Sequence, residues 1–346
     1  MSYFATVLSA AKTIDTTERT LPAHVPDGFV RLKLATASLC GTDLHYYRHF
    51  SNAGFQMQRP VTLGHEACAY VVDANGSSFS KNQLLALNPI IACGECENCR
   101  AGQENHCTAK KFPGSATTVP HIDGFFQVAF DFPAQCCHAV PENTKPDHLT
   151  FAEPLACAMH SVTMSGAGQS DRVLVIGCGP MGLLAVVAAK AVGAQVDVTD
   201  LQPDAIDLAK EVGAGEGFVA GKAVQEKAVP ADNYYDAVIE ASGSPYGFNQ
   251  ALESVKRRGR VSILSNIQLS ETPINLHKIM LKEVTVAGSF QFNIEFKQAL
   301  DIITAEPDVF DKLIAARFPL SQTVDALELM LSGKAAGKIL IKPEVS

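Results

Sequence analysis

At 346 residues the chain exceeds what one hydrophobic core usually supports, so two domains are expected. An apolar share of 47% against 18% charged residues is that of a globular protein. The net charge of −8 argues against a nucleic-acid partner, because no basic face is available to release phosphate counterions.

No charge run, low-complexity segment or internal repeat interrupts the chain. Its first residues, MSYFATVLSAAKTIDTTE, lack a basic region followed by a long apolar core, and no window reaches the ~18 uninterrupted apolar residues of a membrane span. The expectation is a soluble, cytoplasmic protein with no membrane partner. Ten cysteines in such a chain point to reduced thiols and metal ligation rather than a disulfide framework.

Residues 29–39, FVRLKLATASL, alternate apolar and polar side chains over Val30, Leu32 and Leu34, as a half-buried strand does. They deliver the chain to Cys40-Gly41-Thr42-Asp43-Leu44-His45. A second apolar approach, residues 60–63, delivers Gly64-His65-Glu66. Cysteine, histidine and carboxylate arriving from separate turns are the ligand set of a zinc site with an open position. Either Cys40 or His65 alone would read as an ordinary residue; their combination with the next segment gives them weight.

That segment is Cys93-Gly94-Glu95-Cys96-Glu97-Asn98-Cys99, followed by Cys107. Four thiols in a C-x2-C-x2-C-x7-C pattern on a polar loop can close tetrahedrally on one zinc and leave no position for chemistry. The loop has no hydrophobic core of its own, so the metal would hold its shape. Between residues 110 and 140 lie a loop, FPGSATTVPHIDG, and a strand-like run, FFQVAF. Cys136, Cys137 and His138 read as core or strand residues, as do Cys68, His106, His121, Cys157 and Cys178.

Glu153 lies in the apolar run FAEPLA. Two explanations stand for it: a buried carboxylate paired with a cation, or a solvent-facing residue at a helix start.

Residues 173–176 form a short apolar run ended by Gly177, Gly179 and Gly182, then a helix-length segment stopping at Gly193 and a second apolar run closing on Asp200. This strand–turn–helix–strand unit carries G-x-G-x-x-G at its first turn, the dinucleotide-binding pattern. The Gly177, Gly179, Pro180, Met181 and Gly182 turn would approach a pyrophosphate at the helix amino terminus. Asp200 would accept the ribose hydroxyls and repel a 2′-phosphate, and Leu201-Gln202-Pro203 offers no arginine, so NAD is favoured over NADP.

The alternation continues with a helix over 203–212, strands over 236–240 and 260–264 with a helix over 247–257 between them, and a strand over 283–288. Helices between strands mean a parallel, doubly wound α/β sheet. Beyond residue 290 come helices near 294–304 and 321–331 and a strand over 338–341, a tail expected to rejoin the amino-terminal domain.

In this order, CGTDLHYY, LGHE, NPIIACGECENCRAGQENHC, FAEPLA, VIGCGPMG and GKILI resemble the zinc-dependent medium-chain dehydrogenase family, in its sorbitol and threonine dehydrogenase branch. FPGSATTVPHIDG and GSFQF look closest to the sugar-acid enzymes of that branch. The resemblance implies a Rossmann-type doubly wound sheet inserted in a mainly β GroES-like catalytic domain, with bounds at 1–155, 156–290 and 291–346. It implies two zincs per chain: a catalytic one on Cys40, His65 and a carboxylate, Glu66 or Glu153, and a structural one on Cys93, Cys96, Cys99 and Cys107. It also implies a proton relay through Thr42 and His45, Tyr46 in the substrate pocket, a sugar-acid or polyol substrate, and a homodimer or homotetramer. Four places depart from the family: Cys68 and Phe125 replace glycines, KNQLLALNP replaces a Gly-Asp turn, and Gln291 stands where the branch usually carries an arginine. Glutamine hydrogen-bonds a substrate but cannot form arginine's bidentate pair with a carboxylate.

Overall fold

The structure, a computed structural model, describes residues 2–221, 229–230, 233–267 and 271–344. It divides into two compact units, one formed by residues up to Glu153 together with those from Phe296 onward, the other by Pro154–Glu295.

In the first unit the alternating run becomes the strand Phe29–Ser38, the centre of a seven-stranded sheet. One of its neighbours is Glu66–Asp73 and another is the late strand Lys338–Lys342, itself paired with Ile314–Pro319. The strands bury Val30, Leu32, Leu34, Leu85 and Ile341 in one core. An amino-terminal hairpin, Ser2–Ala10 with Thr13–Thr20, was not anticipated, because its second strand is polar and largely exposed. Also unanticipated were the helix Pro307–Lys312 and the strand Ile314–Pro319.

The expected strand over FFQVAF lies later, at Ala129–Pro133. Residues 124–126 instead donate to the carbonyls of Thr62, Gly64 and Leu63. Gly124 permits this, since a Cβ there would collide with the Leu63 and Gly64 backbone. Phe125, at the place of a family glycine, packs at 5.2 Å from both Phe130 and Phe132. Cys68 is buried in the Glu66–Asp73 strand and donates to the Pro146 carbonyl at 3.2 Å. KNQLLALNP supplies the strand Leu84–Leu87.

In the second unit six parallel strands run in the order Gly217–Val219, Gln195–Asp200, Arg172–Ile176, Tyr235–Glu240, Val255–Ile263 and Thr285–Gly288. This is the doubly wound α/β sheet that the alternation implied. The helix expected over 247–257 is Pro245–Ser254, and its last residues join the next strand. The buried Lys282 ammonium takes the carbonyls of Leu252, Glu253 and Val255, which one more helical turn would have needed. Among the described residues no helix is long and apolar enough to cross a membrane.

Candidate active site and cofactor site

Cys40 ends the segment after the central strand and caps the helix Gly41–His49; His65 and Glu66 stand where the Glu66–Asp73 strand begins. Cys40 Sγ, a His65 ring nitrogen and a Glu66 carboxylate oxygen all lie within 4.8 Å of one another. Glu153, near the start of the helix Ala152–Ser165, is 7% exposed, and its charge acts on both His65 and Lys338. Thr42 and His45 fall one turn apart on the Gly41–His49 helix.

Two residues that the sequence reading did not single out complete this cluster. Asp43, fully buried, accepts the Cys40 N–H at 2.9 Å and the Gly64 N–H at 3.1 Å, and stands 3.9 Å from His65 Nδ1. It thereby links both ligand turns. Lys338 donates to the two Glu66 oxygens at 2.6 and 2.5 Å and to the Leu39 carbonyl at 3.1 Å, while Ser38 also donates to Glu66. Asp43 was visible in the sequence as an acid between two expected ligands; Lys338 carried no such signal.

The electrostatics call for a cation. Burial raises the pKa of Asp43. Burial also works against the Lys338 ammonium, but Glu66, Cys40 and Glu153 more than offset it and raise its pKa. On His65 the same contest is won by Cys40, Asp43 and Glu153, which lift its pKa well above the usual range. Lys338 faces the Cys40 thiol and the Glu66 and Glu153 carboxyl groups, and among the described residues His65 Nδ1 is buried with no hydrogen-bond partner. A buried donor set of sulfur, nitrogen and oxygen suits zinc.

The four-cysteine loop fits zinc on geometry. Cys96–Cys99 and Cys107–Cys93 sulfurs are 3.5 Å apart and Cys93–Cys99 are 3.9 Å apart. Four sulfurs at about 2.3 Å from one zinc in a tetrahedron stand about 3.8 Å from each other. A disulfide would require about 2.05 Å, and none of the ten cysteines forms one. Backbone N–H groups of Cys99 and Thr108 favour the Cys96 thiolate, bringing its pKa down to about 6.

In the second unit Gly177 has φ +95°, and a Cβ there would press on the Ser242 backbone. A Cβ on Gly182 would strike the Gly177 carbonyl, whereas one on Gly179, which caps the helix Pro180–Ala191, would meet nothing within 4 Å. Close packing at two glycines and open space at the helix amino terminus are what a pyrophosphate cradle requires. Asp200, at its strand end, accepts the Cys178 N–H at 2.6 Å and the Gln202 N–H at 2.9 Å, which fixes its carboxylate beside the glycine turn.

Residues 26–142 match the alcohol dehydrogenase GroES-like domain and residues 180–305 the zinc-binding dehydrogenase family. The chain is 31% identical to L-idonate 5-dehydrogenase (NAD(P)(+)) of Escherichia coli strain K12, over 96% of both chains. The chain belongs to the zinc-dependent medium-chain dehydrogenases. This dehydrogenase is also 30% identical to sorbitol dehydrogenase of Bacillus subtilis strain 168, over 94% of its own chain and 93% of the relative's. The crystal structure of L-idonate 5-dehydrogenase from Escherichia coli K-12 superposes with a TM-score of 0.92 at 29% identity, covering 99% of this chain and 98% of the other. The expected cofactors, zinc and a nicotinamide dinucleotide, are those of the family.

Elsewhere in the dehydrogenase, Tyr46 is fully buried; its hydroxyl accepts the Ala116 N–H at 3.0 Å and lies 3.2 Å from Ser115 Oγ. It therefore anchors the FPGSATT loop to the ligand-bearing helix. Phe112 of that loop packs on the His65 ring at 5.4 Å. Gln291, in the second unit, adopts a left-handed φ of 54°. Cys136 and Cys137 are buried, as their reading as core residues requires.

Proposed function

We propose that the protein oxidises a secondary hydroxyl of a sugar acid or polyol, with L-idonate as the sharpest candidate substrate and NAD as the hydride acceptor. The observation that carries this reading is the convergence of Cys40, His65 and Glu66 within 4.8 Å, with Glu153 beside them. We assign direct ligation to Cys40, His65 and Glu66, because Glu66 belongs to the tight cluster, and an indirect place to Glu153. Zinc held there supplies Lewis acidity that lowers the pKa of a substrate hydroxyl.

The chain's own groups then handle the proton. Thr42, on the first turn of its helix, accepts it from the substrate hydroxyl, and the half-buried His45 one turn on releases it to water. Burial first, then the charges of His49 and Arg48, lowers the His45 pKa, so the ring is neutral and able to accept a proton near neutral pH. Tyr46 acts by holding the loop that carries Phe112 and Ser115. Gln291 hydrogen-bonds the substrate. Gly177–Gly182 and Asp200 would hold NAD, which would supply the hydride acceptor.

The test is NADH formation from L-idonate, sorbitol, xylitol, L-threonine and simple secondary alcohols, each with and without a zinc chelator. Chelator-sensitive turnover of L-idonate supports the sharpest candidate; turnover of neutral polyols alone rules out the sugar acid and leaves the polyol; turnover of none of them, or turnover that ignores the chelator, overturns the reading.

We also propose a homodimer or homotetramer. Thr285–Gly288 is the outermost strand of its sheet, and the helix Leu276–Lys282 leaves Leu276, Met280 and Leu281 more than half exposed. Light scattering that reports a monomer refutes it.

A further inference from the structure

Glu240 ends its strand with its side chain fully buried. Oε1 accepts the Ser242 N–H at 2.8 Å and the Ser242 hydroxyl at 2.5 Å, and Oε2 accepts the Ser265 hydroxyl. Ser265 Oγ in turn accepts the Gly243 N–H at 3.0 Å. The Glu240 carbonyl takes the N–H groups of Leu264 and Ser265 at 2.9 and 3.2 Å. The result is a closed ring joining the loop after one strand to the loop after the next. No cation pairs with this carboxylate among the described residues, so its burial is compensated by these donors alone.

The position of the ring gives it meaning. Strand order reverses between Arg172–Ile176 and Tyr235–Glu240, and in such sheets a dinucleotide lies across the crevice at the carboxyl ends of those two strands. Ile176 and Glu240 are register partners at that edge, and the Ala241 N–H donates to the Ile176 carbonyl at 2.8 Å. A Cβ on Gly177 would stand 2.7 Å from Ser242 Cα, so the ring abuts the glycine turn directly. Asp200 lies on the opposite side of the reversal, where the adenosine ribose belongs. The loops tied by Glu240 therefore flank the other half of the dinucleotide.

We propose that Glu240 is a positioning residue for the nicotinamide half of the cofactor, holding residues 241–243 and 264–265 in the spacing that half requires. The inference rests on the dinucleotide reading above. An apolar side chain would fill the same volume without the cost of desolvating a charge, so stability alone does not account for a carboxylate here. Its bonds set loop geometry.

The experiment measures NADH binding by cofactor fluorescence, AMP binding by calorimetry and thermal melting, on wild type, Glu240→Ala, Glu240→Gln, Ser265→Ala and the double variant Glu240→Ala with Ser265→Ala. AMP reports the adenosine half alone. The expected result is an NADH Kd raised at least tenfold in Glu240→Ala with the AMP Kd within twofold. Glu240→Gln, which keeps an acceptor oxygen, should recover part of the loss. Ser265→Ala should reproduce the NADH-selective weakening, and the double variant should be no worse than Glu240→Ala, since both cut one ring. Ser265→Ala loses one hydroxyl only, so it carries the test if Glu240→Ala does not fold. Equal weakening of NADH and AMP, or lower melting with NADH affinity unchanged, overturns the inference alone. Wild type binding neither NADH nor AMP overturns the dinucleotide reading and the inference with it.

Discussion

The Lys338 ammonium lies 2.6 and 2.5 Å from the two oxygens of Glu66, a residue 272 positions earlier, with both side chains shut away from water. Removing one partner of such a pair strands the other charge. Lys338→Met should destabilise the metal-free protein by roughly 3–5 kcal/mol. Bound zinc would replace the lost positive charge, so denaturant midpoints with and without chelator should differ more in the variant than in wild type. An equal difference in both would show that the proposed zinc site and the Lys338 pair are independent.

The two ligand clusters should separate cleanly on mutation. Cys40→Ser should lose one zinc and all turnover while NADH binding persists; Cys99→Ser should lose the other zinc and mainly melt earlier, because that zinc would tie Cys93, Cys96, Cys99 and Cys107 together. Metal content by mass spectrometry and melting curves check both. Equal activity loss with unchanged melting in the two variants would contradict separate roles.

Asp200 accepts one backbone N–H on each carboxylate oxygen, so Asp200→Asn removes the charge together with one of the two acceptors. The preference for NAD over NADP should fall about tenfold, equivalent to about 1.4 kcal/mol. Ratios of kcat/KM for the two cofactors measure it, and an unchanged ratio would remove Asp200 from cofactor selection.

In the relay proposed above, the lowered pKa of His45 would set the acid side of the pH profile. Neutral imidazole is the working form, so turnover should hold as pH falls through the ordinary histidine value of about 6.5 and decline only below it. His45→Asn should lose turnover on the order of 10²-fold and lose that acid limb. A wild-type limb at or above the ordinary value would place the titrating group elsewhere.

Burial alone would raise the Asp147 pKa, but hydrogen bonds from Lys342 and Arg317, both 2.8 Å away, outweigh it and the pKa is lowered. A carboxylate depressed on folding adds stability above its unfolded value of about 3.9, and that stability disappears as pH falls through the lower folded value. Asp147→Asn should therefore cost about 1–3 kcal/mol at pH 7 and almost nothing in strong acid. Urea midpoints at the two pH values decide it.

Much of this was legible because its signals are local. Cys93 to Cys107 and Gly177 to Gly182 need only short stretches of chain, and the alternation over Val30, Leu32 and Leu34 needs only a strand period. The rest depends on contacts between distant segments. Nothing near Lys338 announces that it faces Glu66, and the end of the Pro245–Ser254 helix is decided by Lys282 from another helix. The Thr13–Thr20 strand has no buried face to leave a pattern. Glu240 looked like an ordinary strand end because its serine partners arrive from two loops.

The strand carrying Lys338 is inserted between Phe29–Ser38 and Ile314–Pro319, in the middle of its sheet rather than at an edge. During synthesis the contiguous Pro154–Glu295 segment leaves the ribosome whole, while the earlier-made unit still lacks an inner strand and Glu66 still lacks its counter-charge. The dinucleotide fold can therefore mature before residues 338–342 are made, and the metal pocket is expected to close only once they have been added.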